Sequence, residues 1–296
     1  MVIDNMLKAD DCSNVTALIK TFLRDDYLFT CVASLRRHYP NIKIIVADDG
    51  YCTREKKARL EAEGVSKYIA LPWNQGVSRG RNILIDACDT PYCLVGDDDF
   101  YYTEETRLAD MVRMMERADL AGGALRYLGN LQHYEATLEW VSESRGLIHH
   151  DINRDYKCHA GVAYADADLT FNFFIAKTEL ARTLRWEDRI HVIFEHEDFF
   201  MSACLRGMKV VYCPNSIVTH RHIELPTIPE YERIRWNRKD KAKFFQKWSL
   251  NFVQDVQGRR LLRDPDEELA FAVVPDAKPT LSRHDTRATS ESEVNE

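Results

Sequence analysis

The sequence predicts an α/β fold: a mostly parallel central sheet flanked by helices, with a C-terminal helical extension. Two observations carry this. Between residues 15 and 126 short apolar runs alternate with segments of helical spacing, and three of those runs end in polar clusters, 21–25, 48–50 and 96–99. In open α/β sheets ligands collect beyond the carboxyl ends of the strands, so three clusters on one edge describe a crevice of nucleotide size.

Residues 15–21 read as the first strand. Over 26–39, Leu28, Val32, Leu35 and Tyr39 recur at helical spacing behind Asp26 as a cap, and Pro40 stops the run. A second strand spans 43–47, a polar helix 53–63 is closed by Gly64, a third strand covers 67–71, and a helix with an Arg-rich first turn covers 78–87. The fourth strand, 92–95, runs into Asp97, Asp98 and Asp99.

The second half is less regular. It reads as a helix at 104–117, a strand at 120–125, a polar and aromatic stretch from 126 to 168, a strand at 169–176 and a short helix from 178. A helix at 196–206 carries acids in its first turn, a strand covers 210–213, and a basic helix places Phe245, Trp248, Phe252 and Val256 on one face.

Composition narrows the function. At 296 residues, with 45% hydrophobic and 29% charged residues, the chain can bury a full core. A net charge of −7 argues against nucleic acid as a partner, although residues 231–263 hold ten Lys/Arg against three Asp/Glu. The eight cysteines form no CxxC pair, so free thiols are expected rather than disulfides or a zinc knuckle. With no long apolar stretch and no signal-like start, the expected location is the cytosol; the basic helix could rest on the inner membrane surface.

Three adjacent carboxylates are costly to hold together unless a cation offsets their repulsion, and a divalent metal is the simplest one. Mg²⁺ or Mn²⁺ takes one or two protein carboxylates and shares its other positions with phosphate oxygens, which points to a nucleoside diphosphate. A solvated acidic turn would produce the same triplet.

The ordered segments TFLRDDYL (21–28), VADDG (46–50), NQGVSRGRN (74–82), YCLVGDDDF (92–100) and FEHEDFF (194–200) make the chain resemble GT-A glycosyltransferases of family 2 type. The wording KTFLR, RRHYP, ADDG, GRN and DDDF is similar to the β-1,4-N-acetylgalactosaminyltransferases of ganglioside-type glycans. The resemblance implies a UDP-sugar donor, a Mn²⁺ or Mg²⁺ cofactor, an oligosaccharide or glycolipid acceptor and inversion at the transferred sugar. The catalytic domain is expected over 14–225 after a lead-in at 1–13, followed by a basic amphipathic helical region at 226–264 and, from its polar composition without an apolar period, a disordered tail at 265–296.

Residue by residue, the resemblance implies Thr21 and Arg24 bordering the uracil, Asp49 on the base or ribose, and Arg79, Arg81 and Asn82 beside the nucleotide. Asp97 to Asp99 match the DXD motif, with Asp97 toward the ribose, Asp98 between them and Asp99 on the metal. Of the segment 194–200, Asp198 is expected as the base that deprotonates the acceptor hydroxyl, and Glu197 as a ligand of sugar hydroxyls. First-turn acids that merely offset a helix dipole are the plainer alternative.

His220, in VTHRH with His222, is the expected histidine of the metal site together with Asp97 and Asp99. The aromatics His133, Tyr134, Trp140, His149, His150 and Tyr164 suit sugar stacking, or simply a core. Two other classes compete: a non-catalytic glycan- or nucleotide-binding module of the same fold, and a nucleotidyltransferase. The latter would want a glycine-rich loop after the first strand, where residues 21–26 have no glycine.

Overall fold

The computed structural model describes residues 12–221, 229–235 and 238–264; the expected tail, most of the expected lead-in and His222 lie outside them. The first half follows the predicted order: β1 (Val15–Thr21), α1 (Asp25–His38), β2 (Lys43–Asp48), α2 (Arg54–Ala62), β3 (Lys67–Ala70), α3 (Val77–Ala87) and β4 (Tyr92–Asp97). These strands are parallel in the order β4-β1-β2-β3. Register sets Thr21 beside Asp48 and Lys20 beside Asp97, so the three polar clusters do share one edge.

Helix α1 starts one residue before Asp26, so Asp26 is not its cap; Asp25 and Asp26 are first-turn acids that complement the helix dipole. The expected helix at 104–117 shrinks to α4 (Leu108–Arg113) and a 3₁₀ turn at Met114–Glu116. Thr106 Oγ1 accepts from Thr103 N and Thr103 Oγ1 accepts from Glu105 N, local bonds that compete with helix formation.

The main sheet continues through β5 (Phe100–Tyr101), β6 (Leu120–Tyr127) and β7 (Asn130–Gln132). The stretch to 168, read as irregular, also holds β8 (Ala136–Val141), β9 (Gly146–Asp151), β10 (Lys157–His159) and β11 (Val162–Ala167). Two of its hairpins turn on Leu128–Gly129 and Ala160–Gly161, where both residues have positive φ. Leu and Ala are unusual first residues for such turns, which hid the hairpins.

The strand expected at 169–176 is only β12 (Phe174–Lys177), followed by α5 (Thr178–Leu184) and α6 (Glu195–Leu205). The last expected strand is much longer: β13 (Val210–His220) runs parallel to β6, with an irregularity between Cys213 and Ile217 around Pro214, and delivers His220 to β5. Strands β12, β6, β13, β11 and β10 extend the sheet beyond β4, giving a mixed sheet with apolar clusters on its two faces.

The C-terminal region corrects the amphipathic-helix expectation. It comprises α7 (Pro229–Arg235), α8 (Arg238–Lys247), β14 (Phe252–Gln254) and β15 (Arg260–Leu262). The last helix ends at Lys247, so Phe252 and Val256 are not on it, and Phe245 packs inward with Phe244, Leu147, Ile190 and Met201. The apolar face expected to meet a membrane is therefore part of the core. Among the described residues no helix is long and apolar enough to cross a membrane.

Strand β14 pairs in parallel with β9, closing a second sheet of order β15-β14-β9-β8. Gly146 permits this pairing, because a Cβ there would lie 2.1 Å from Phe252 Cζ. Gly146→Ala should therefore destabilise the chain by about 1–3 kcal/mol through overpacking, read by urea denaturation. Adding Phe252→Leu should recover part of the loss.

Candidate functional site

At the carboxyl edge of β1, β2 and β4 lies a crevice whose lining includes Lys20, Phe22, Arg24, Asp49, Asn74, Gly76, Asp97, Val192 and Tyr231. Each wall has a distinct origin. Asp49 follows β2, Asp97 ends β4, Gly76 precedes α3, and Val192 comes from the loop before α6.

The aspartate triplet is divided among several partners. Asp97, the most exposed of the three, receives Arg81 Nη2 at 2.6 Å. Asp98 is fully buried, accepting from Thr21 Oγ1 at 2.7 Å and pairing with Arg24. Burial pushes its pKa up to about 6 despite Arg24. Asp99 meets Arg24 Nη1 at 2.6 Å and His220 Nε2 at 3.2 Å. Burial pulls the His220 pKa down, but the hydrogen bond to Asp99 and its charge outweigh that, so the net shift is upward.

Several expected ligands are thereby corrected. Asp98 and Thr21 clamp each other beneath the edge, and neither lines the crevice. Arg79 is solvent-exposed and also outside that lining. Asn82 binds the chain that follows α5: its Nδ2 donates to Trp186 O and Asp188 Oδ1, and its Oδ1 accepts from Trp186 N. Arg24 and Asp49 do line the crevice, each already engaged by protein groups.

The expected metal set is also split. Among the described residues no three His, Cys, Asp or Glu side chains are gathered to hold an ion. Asp97 is turned to Arg81, while Asp99 and His220 stand together as an oxygen and a nitrogen donor at the strand ends. Two such donors fit a hard divalent ion that draws its remaining ligands from phosphate oxygens and water. The N-terminus of α3 is not an open anion site, because Val77 N and Ser78 N both donate to His191 O, at 2.6 and 3.4 Å.

Helix α6 carries the acidic segment, entered through Phe194 in the left-handed region at φ 70°. Asp198, the expected base, is fully buried: Lys247 Nζ lies 2.7 Å from Oδ1, and Trp248 Nε1 donates to Oδ1 at 2.8 Å. Here it ties α6 to the C-terminal segment and lies outside the crevice lining. Glu197, half-buried, accepts from Tyr134 Oη at 2.5 Å, and burial raises its pKa.

Glu195, in the same acidic segment but not the expected base, is the acid joined to the crevice wall. Arg81 Nη1 lies 3.2 Å from Glu195 Oε1 while Nη2 holds Asp97, so one buried guanidinium joins the crevice wall to helix α6. Burial pushes the Glu195 pKa up to about 7, against the pull of Arg81.

Of the aromatic candidates, Tyr164 lies in the core, Trp140 packs against the C-terminal cluster and His149 is buried; Tyr134 also packs on the core, beside Phe171 and His196, and donates to Glu197. Sequence reasoning gave no site role to Lys20, Phe22, Tyr231 and Lys247, and set Trp248 on an apolar helix face rather than against Asp198. Only Lys20 carried a signal, as the one charged residue in an otherwise uncharged first strand.

A model of glycosyl transferase family 2 matches residues 16–165. The chain is 32% identical over 244 residues to beta-1,4 N-acetylgalactosaminyltransferase 1 of Mus musculus, covering 77% of this chain and 42% of that protein. It is 33% identical over 217 residues to the Homo sapiens protein of that name (70% and 39% covered), and 30% over 243 residues to beta-1,4 N-acetylgalactosaminyltransferase 2 of Mus musculus (78% and 45%). The chain thus spans less than half the length of these curated relatives.

The crystal structure of S. aureus TarS shares the fold at TM-score 0.51 and 14% identity, over 70% of this chain and 36% of that one. TarS 1–349 in complex with UDP-GlcNAc does so at TM-score 0.50 and 14% identity, over 71% and 59%.

Two outcomes follow from the buried acids. Lys247→Met should destabilise by about 3 kcal/mol by stranding Asp198, and Asp198→Asn in the same chain should recover much of it in urea melts. For Glu195 the folded pKa lies above the ordinary 4.5, so the native chain keeps a proton that the unfolded chain releases. Its contribution is lost as pH rises from 4.5 to about 7, and Glu195→Gln should flatten a stability slope of at most ~3 kcal/mol across that window.

Proposed function

Since this chain belongs to glycosyl transferase family 2, we propose that it transfers a sugar from a UDP-sugar to a hydroxyl of an oligosaccharide or glycolipid acceptor. N-acetylgalactosamine is the sugar best supported, because the curated relatives carry it in their names. The nucleotidyltransferase alternative loses its ground with the family match. The observation that carries the catalytic reading over a binding module is the bridge Asp97–Arg81–Glu195, which sets a carboxyl poised near neutrality one guanidinium from the crevice.

In this reading Glu195 replaces Asp198 as the general base. The acceptor oxygen attacks the anomeric carbon as its proton passes to Glu195, and the bond from that carbon to the diphosphate breaks with its electron pair leaving on UDP. Attack opposite the leaving group inverts the centre, so an α-linked donor yields a β-linked product. Asp99 and His220 would hold a Mn²⁺ or Mg²⁺ ion, which supplies charge neutralisation for the departing diphosphate. Glu197 and Tyr134 offer an acceptor sugar a carboxylate and an aromatic face.

UDP release from a panel of UDP-sugars with acceptor tests the proposal. Glu195→Gln should lower kcat by about 10²–10⁴-fold with UDP affinity little changed, whereas Asp99→Ala and chelation should each remove turnover. Full turnover in Glu195→Gln would overturn the base assignment, and turnover indifferent to chelator and to Asp99→Ala would overturn the metal.

A further inference from the structure

One face of α8 meets a single stretch of chain. Asp240, Lys243, Phe244 and Lys247 recur at helical spacing along it, and each contacts residues within 187–198, the stretch that ends in the acidic turn of α6. Asp240, fully buried, accepts through Oδ2 from Val192 N at 3.0 Å and Ile193 N at 3.5 Å. Lys243 Nζ donates to Arg189 O at 2.6 Å, and Lys247 Nζ lies 2.7 Å from Asp198 and 3.7 Å from Glu187.

Between these ties the backbone is strained. Phe194 has φ 70°, a left-handed conformation that an aromatic residue adopts at a cost, and Glu195 follows it as the first residue of α6. The Phe194 ring stacks on Phe244, with centroids 4.7 Å apart and planes 17° apart, and meets Phe245 edge-on. The same helix thus grips the backbone at 192 and the ring at 194, which sets the direction in which Glu195 leaves the loop. One turn later the bonds of Lys247 and Trp248 to Asp198 fix the far side of that acid. Strain of this kind persists only where the surroundings over-determine it.

We infer that Asp240 and Phe244 are positioning residues for Glu195: acting through residues 192–194, they hold its carboxylate against Arg81 at the crevice wall. This rests on the reading of Glu195 as the general base. Neither Asp240 nor Phe244 lines the crevice, so replacing them leaves its side chains unchanged.

The test is hydrolysis of UDP-N-acetylgalactosamine with Mn²⁺ by the whole chain, followed across pH beside calorimetric binding of UDP. Water takes the acceptor's place, attacking the anomeric carbon and giving its proton to the same base as UDP leaves. In the wild type the rate should rise with pH through the pKa of Glu195, about 7, and its charged neighbours Arg81, Asp97 and Glu197 are the same in every variant. Asp240→Ala and Phe244→Leu should each lower the plateau rate by about 10–10²-fold, the cost of a misplaced reacting group. The rise should also move to lower pH as Glu195 leaves its buried seat, with UDP affinity held within about threefold. Asp240→Asn, whose amide oxygen still accepts from Val192 N, should restore most of the rate and the position of the rise. Phe244→Leu keeps an apolar core residue and decides the matter should Asp240→Ala not fold.

Wild-type rates and an unmoved rise in the folded variants would overturn the inference. So would a rate that falls only in step with UDP affinity, since α8 would then be a prop for the crevice and nothing more. A wild-type profile without this rise, or with the same rise in Glu195→Gln, would instead overturn the base assignment, and a wild type that binds no UDP would overturn the UDP-sugar reading.

Discussion

The site depends on how the repulsion among Asp97, Asp98 and Asp99 is offset. Adjacent carboxylates at the end of a buried strand are tolerated only with compensating positive charge, and three different elements supply it. Arg24 precedes α1, Arg81 lies in α3 and His220 ends β13, so the triplet ties the first, middle and last parts of the main sheet together. A metal was the expected compensation, but the protein does most of this with its own cations. In the proposed reading, an ion at Asp99 and His220 would be a guest of the diphosphate rather than a structural requirement.

Much of this was legible in the residues. The βα alternation over the first half, the alignment of three polar clusters and the place of the triplet follow from period and punctuation, which act locally. What escaped notice depends on distant partners. Nothing near Asp198 hints that Lys247 and Trp248, some fifty residues on, will enclose it. Arg79 and Arg81 look equivalent in sequence, yet helical phase sends one to solvent and the other into the Asp97–Glu195 bridge. The first turn of α6 offers four polar residues, and it is the ion pair with Arg81 that joins Glu195 to the crevice wall.

The C-terminal segment is bound into the same machinery. Asp240, fully buried in α8, accepts from Val192 N at 3.0 Å and Ile193 N at 3.5 Å, holding the loop that both lines the crevice and caps α3 through His191 O. A basic stretch that reads as an appendage is therefore a strut of the crevice wall. Its lysines and arginines flank an interior face formed by Phe244, Phe245 and Leu250, which explains why their charge is local.

The interleaved strand order also governs how the chain can be dissected. The stretch that carries the family pattern ends at residue 165, inside β11, while β4 and β6 are separated by β12 and β6 is flanked by β13, both from later sequence. A fragment cut at that point would keep the nucleotide-side motifs but bare the hydrogen-bonding edges of two long, apolar strands. Such edges recruit other chains, so a minimal recombinant fragment drawn from the family boundary would precipitate through intermolecular sheet growth rather than fold as a smaller enzyme.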